Sequence, residues 1–145
     1  MTFKFEIANP KTGKTYHFEL SDESAKEKFF GKKIGDKFEG SILDSKFSGY
    51  EFEITGLSDK QGFPALPNLK GTARKRVLLG YGIGMRQKRP KGLRKKKTVR
   101  GSTIAADIVQ INVKVVKQGS KDLDEIFGKK QSTEQQAEQA TQQEA

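Results

Sequence analysis

Apolar residues in this chain recur at every second position, in short runs cut apart by glycine and proline. A period of two puts neighbouring side chains on opposite faces of a strand, so the pattern admits short half-buried strands and excludes a bundle of long helices. Thr2 to Ala8 carries Phe3, Phe5 and Ile7 on one face, and Thr15 to Leu20 carries Tyr16, Phe18 and Leu20. Between them lies Asn9-Pro10-Lys11-Thr12-Gly13, where proline fixes φ, asparagine tolerates left-handed geometry and glycine permits a positive φ. The two runs are predicted to pair as an antiparallel hairpin.

Ser21 followed by Asp22 and Glu23 marks a short helix, with an oxygen cap and two acids near the positive end of its dipole, stopping by Gly31. Lys37 to Leu43 and Tyr50 to Thr55 are the next strand candidates, joined by a turn at Asp44 to Gly49. Gly62, Pro64, Pro67 and Gly71 then mark an irregular loop. Arg76 to Gly80 reads as a strand and Tyr81 to Lys97 as a second loop. The strongest strand is Asp107 to Lys117, with Val109, Ile111, Val113 and Val115 on one face and Ile108 and Val116 on the other. The sum is a mainly β protein: a small barrel-like β domain of six or seven short strands with one or two short helices and long basic loops, spanning 1–128. Gln131 to Ala145 holds six Gln, three Glu and no large apolar residue, so 129–145 is predicted to be a Gln-rich disordered tail.

The chain has no cysteine, so neither disulfides nor thiolate metal sites are available and the fold must stand on burial alone. No run approaches the roughly eighteen apolar residues a spanning helix needs, and Met1 to Pro10 lacks a basic region followed by an apolar one. These features predict a cytoplasmic protein without a membrane partner.

A net charge of +10 is distributed very unevenly. Residues 1–59 and 107–145 are each at −2, whereas 60–106 carry fourteen Lys or Arg and no acid. The cations are Lys60, Lys70, Arg74, Lys75, Arg76, Arg86, Lys88, Arg89, Lys91, Arg94, Lys95, Lys96, Lys97 and Arg100. Like charges this dense repel one another, and a partner presenting phosphates relieves the repulsion and releases counterions. Arginine holds a phosphate through two hydrogen bonds or stacks on a base, whereas lysine acts as a mobile point charge. Phe63 and Tyr81, interleaved with these cations, are candidates to stack on unpaired bases; Phe63 reads equally as a hydrophobic plug anchoring its loop.

Catalysis and cofactors find no support. Gly13-Lys14-Thr15 ends like a phosphate-binding P-loop, but Ala8 stands where the first glycine is required. Gly80-Tyr81-Gly82-Ile83-Gly84 is not the dinucleotide fingerprint, because the third glycine is misplaced. His17 is the single histidine, and Asp59 and Asp107 have no second carboxylate, histidine or metal group near them in sequence. No cofactor, metal or small-molecule substrate is expected. An architectural DNA-binding protein would need a recognition helix or apolar wedges, and neither is evident.

The string Gly49-Tyr50-Glu51-Phe52-Glu53-Ile54-Thr55-Gly56, followed by Ser58-Asp59-Lys60-Gln61-Gly62-Phe63-Pro64, resembles the signature of small-ribosomal-subunit protein six of the eukaryotic and archaeal type. Arg94-Lys95-Lys96-Lys97-Thr98-Val99-Arg100-Gly101 resembles that family's basic-then-Val-Arg-Gly motif, and Asp107 to Gly119 its following strand. The resemblance covers Thr2 to Phe127 and implies a structural constituent of the small ribosomal subunit, not an enzyme, with ribosomal RNA and neighbouring ribosomal proteins as partners. It implies a monomer held within the cytoplasmic ribosome and supporting assembly and translation. Asp122 to Phe127 resembles the family's end-of-core segment only loosely. Eukaryotic members continue into a long basic helix ending in phosphorylated serines, so the short archaeal form is the better match.

Overall fold

A computed structural model describes residues 2–128, so the tail expected at 129–145 lies outside the described residues. Among those residues the chain is mainly β. The strands are β1 (Phe3–Asn9), β2 (Lys14–Leu20), β3 (Lys37–Glu39), β4 (Glu51–Asp59), β5 (Arg74–Leu79), β6 (Lys95–Arg100) and β7 (Ile108–Lys117). A five-residue helix, α1 (Glu23–Glu27), follows β2, and residues 123–128 form a second short helix. The cap of α1 is Asp22 rather than Ser21, and its side chain makes no cap hydrogen bond.

Five strands form one sheet in the order β2-β1-β7-β4-β3. The hairpin of β1 and β2 pairs antiparallel as expected, closed by the Gly13 amide donating to the Asn9 carbonyl at 2.9 Å. The central strand, β7, pairs parallel with β1 and antiparallel with β4. The sheet stays open, with β2 and β3 at its edges, and does not close into a barrel. Instead β5 and β6 pair with each other as a separate two-stranded ribbon. Cations occupy seven of its twelve strand positions, leaving it without the continuous apolar face that insertion into the sheet would bury.

The strand expected over Lys37 to Leu43 stops at Glu39, and tight turns at Gly40–Ile42 and Ser45–Phe47 replace its end. Gly40 permits this, because a Cβ there would collide with the Phe47 carbonyl oxygen. The turn brings Phe47 against Phe52, whose rings lie 6.0 Å apart. Aromatic rings run through the core from Phe5 to Phe29 (5.2 Å), Phe38 (5.0 Å) and Phe52 (5.7 Å). Such pairs contribute about 0.5–1.5 kcal/mol each beyond the area they bury, a useful supplement in a chain without disulfides. The 123–128 helix docks on β2: Phe127 stacks on Tyr16 at 4.9 Å, and Asp124 accepts from the Tyr16 hydroxyl at 2.6 Å. Burial and that acidic acceptor push the Tyr16 hydroxyl up to about 12.

Two of the three register shifts in β4 govern everything downstream. Ile54 pairs with Val113 and Gly56 with Asn112, leaving Thr55 as an extra residue, so the inward face changes from Phe52 and Ile54 to Leu57 and Asp59. A second register shift sets Ser58 opposite Gln110 and Asp59 opposite Ile108, passing over Val109. Ile108, predicted on the face opposite Ile111, is therefore buried alongside it. Strict alternation cannot anticipate either bulge.

Candidate nucleic-acid interface

Register in the ribbon runs from Arg74 opposite Arg100 at its base to Leu79 opposite Lys95. Alternation places Arg76, Leu78, Lys96 and Thr98 on one face, and Lys75, Val77, Leu79, Lys95, Lys97 and Val99 on the other. The second face is partly seated: Val99 is fully buried, and Gly84 lies against Leu79, Val99 and Pro64. On the first face Arg76, Lys96 and Leu78 are exposed. Lys95, Lys96 and Lys97, expected in a loop, thus stand on a strand, spaced by its rise of about 3.4 Å per residue.

The remaining connection carries Arg86, Lys88, Arg89, Lys91 and Arg94, all exposed. Tyr81 is 62% exposed, and the Lys88 ammonium sits 4.6 Å from its ring centroid. Lys95 donates to Gln87 Oε1 at 2.8 Å, bracing the connection against β6. The Gly82 amide donates to the Met85 carbonyl at 2.9 Å, so this glycine shapes a turn. Lys60 and Lys70 are also exposed.

The base of the ribbon differs in kind. Arg100 is only 1% exposed, and its Nη1 donates to Asp59 Oδ2 at 3.0 Å and reaches Asp107 Oδ2 at 3.4 Å. Arg74 donates from Nε to Asp59 Oδ2 at 2.6 Å and from Nη1 to Gln61 Oε1 at 2.6 Å, while its Nη2 also lies 2.6 Å from Asp59 Oδ2. The half-buried Phe63 ring lies beneath that guanidinium, 5.5 Å from its central carbon, which favours the anchoring reading of Phe63 over base stacking. Burial alone would raise the Asp59 pKa, but hydrogen bonds from Arg74 and Arg100 and their charges hold it below the usual carboxylate value. Beside the cluster opens a cleft of about 500 Å³, lined by Lys60, Gln61, Thr72, Arg74, Arg100 and Asp107 among others.

Residues 3–128 match the family model described as Ribosomal protein S6e. The chain belongs to the ribosomal protein S6e family. Membership makes it a ribosomal structural protein rather than an enzyme. It is 48% identical to the small ribosomal subunit protein eS6 of Archaeoglobus fulgidus over 131 residues, covering 90% of this chain and 99% of that one. Proteins of the same name from Methanocaldococcus jannaschii and Methanosphaera stadtmanae are each 47% identical over 127 residues. These alignments cover 88% of this chain in both cases, and 92% and 93% of the two relatives.

The S6e fold gathers most of the predicted cations on the ribbon and its connection but withdraws two of them. Arg100 is inside the protein, not on its surface, and Arg74 is held on three sides. Sequence reasoning gave no binding or positioning part to Asp59, Gln61 or Asp107. A signal was present: Asp59 and Asp107 are the acids that bracket the acid-free stretch, and in the S6e chain both end on Arg100.

Proposed function

We propose that this S6e chain is a structural constituent of the small ribosomal subunit. It binds ribosomal RNA through the β5–β6 ribbon and its connection, and in doing so supports subunit assembly and translation in the cytoplasm. The observation carrying this reading is a set of exposed cations uninterrupted by an acid from Lys60 to Ala106 and displayed on a strand pair. Lys60, Lys70, Lys75, Arg76, Arg86, Lys88, Arg89, Lys91, Arg94, Lys95, Lys96 and Lys97 are the phosphate-facing group. Tyr81 offers a ring for an unpaired base. Arg74 and Arg100 serve by position, and Phe63 supports Arg74. The similarity to archaeal small-subunit proteins supports the choice of RNA over other polyanions.

Sucrose-gradient sedimentation of cell extract tests the reading. The chain is expected to travel with small subunits and to leave them at high salt; a free monomer pool at moderate salt would overturn it. With six to eight phosphates contacted, affinity for the RNA is expected to fall about 10³-fold between 50 and 200 mM salt.

A further inference from the structure

We infer that Asp59 is a positioning residue for RNA binding. Its buried carboxylate fixes the base of the β5–β6 ribbon through Arg74 and Arg100, and thereby sets where the exposed cations stand. The inference rests on the RNA-binding reading above.

Position is the first ground. Arg74 is the first residue of β5, Arg100 the last of β6, and the two are register partners. Asp59 ends β4, on the far side of the bulge that turns it inward, and its side chain is wholly buried. A single oxygen, Oδ2, therefore ties both strands of the ribbon to the five-stranded sheet. Backbone contacts converge on the same place: Arg100 donates to the Pro64 carbonyl at 2.9 Å, and Gly101 to the Ala73 carbonyl at 3.1 Å. A Cβ at Gly101 would collide with the Gly71 carbonyl, so the chain passes too close for any other residue.

Energetics are the second ground. Asp59 Oδ1 and Arg100 Nε are buried without a hydrogen-bond partner. A buried ion cluster left partly unsatisfied contributes little net stability against an apolar replacement of the same shape. What it does supply is direction, because the guanidinium fork accepts a carboxylate in few orientations. Arg74 has Nε and Nη2 on Asp59, Nη1 on Gln61 and a face on Phe63, so its charge is already committed within the protein.

Charge bookkeeping makes the inference testable. Asp59→Asn removes an acid, so electrostatics alone predicts equal or tighter RNA binding. Positioning predicts the reverse. The full chain and its variants are titrated against a full-length small-subunit ribosomal RNA transcript between 50 and 200 mM salt, below the melting temperature of each. Asp59→Asn is expected to bind about tenfold more weakly with a shallower salt slope, the loss that reordering two or three side chains on binding entails. Amide exchange is expected to quicken in β5 and β6 but not in β1 and β7. Binding that is unchanged or tighter in the folded variant overturns the inference. Arg74→Lys, which keeps the charge and loses the fork, covers the case in which Asp59→Asn fails to fold; weaker binding with a shallower slope is expected, and unchanged binding overturns the inference. The RNA-binding reading fails separately, if replacing Lys95, Lys96 and Lys97 by glutamine leaves affinity and slope as they were.

Discussion

The five-stranded sheet and the β5–β6 ribbon are built on the same two-residue alternation but use it in opposite ways. In β1 Phe3, Phe5 and Ile7 enter the aromatic core, in β4 Phe52 and Ile54 and, past the bulge, Leu57 do so, and charges of both signs occupy the other face. In the ribbon, cations take both faces, and Val99 is its one fully buried apolar side chain. Burial of apolar area stabilises the sheet, whereas the ribbon depends on pairing with β4 through Asp59 and on its seat against Pro64 and Gly84. On the proposed RNA-binding reading, stability and binding occupy separate parts of one short chain, and each is expected to be damaged without the other.

Phe52 gives the largest separation. It is fully buried between Phe38, Phe47 and Tyr50, and Phe52→Ala is expected to cost about 3–5 kcal/mol in chemical denaturation. A loss under 1 kcal/mol would show that the aromatic core does not carry the sheet. Replacing Arg94, Lys95, Lys96 and Lys97 by glutamine probes the other side: stability is expected to move by no more than about 0.5 kcal/mol. The slope of log affinity for ribosomal RNA against log salt is expected to fall by about 3. A melting temperature lowered as far as that of Phe52→Ala would merge the two regions.

Acid offers a smaller test at the joint between them. The folded-state pKa of Asp59 lies below its ordinary value of 3.8, so its contribution is complete above that value and is lost as pH falls through the depressed folded one. Ribbon amides are therefore expected to lose exchange protection below about pH 3.8, ahead of those in β1 and β7. Simultaneous loss would make sheet and ribbon one cooperative unit. The smallest effect belongs to His17, on the exposed face of β2, where hydrogen bonds donated to Glu6 and Glu19 raise its pKa above 6.5. That contribution is complete below 6.5 and fades as pH rises through the higher folded value, and His17→Gln is expected to abolish this shallow pH dependence.

Much of this was legible without coordinates. Phe3, Phe5 and Ile7 announced β1, Asn9 to Gly13 its turn, and the run around Ile111 the central strand, because each signal is local. The acid-free stretch located the concentration of positive charge because charge is additive along a chain. Thr55 and Val109 are the places where reading failed: a bulge depends on the partner strand, and one extra residue reverses every face beyond it. Arg100 read as a surface cation for the same reason, since its burial follows from where Asp59 arrives.

By itself, the sequence determined the mainly β class, the hairpin, the concentration of positive charge and the S6e signature, all carried by neighbouring residues. Only the tertiary structure decided that the sheet stays open, that β1 and β7 run parallel, and that two of the fourteen cations turn inward. Those outcomes depend on contacts between residues far apart in the chain, Asp59 with Arg100 above all. A buried carboxylate can hold only the partners that the fold brings to it.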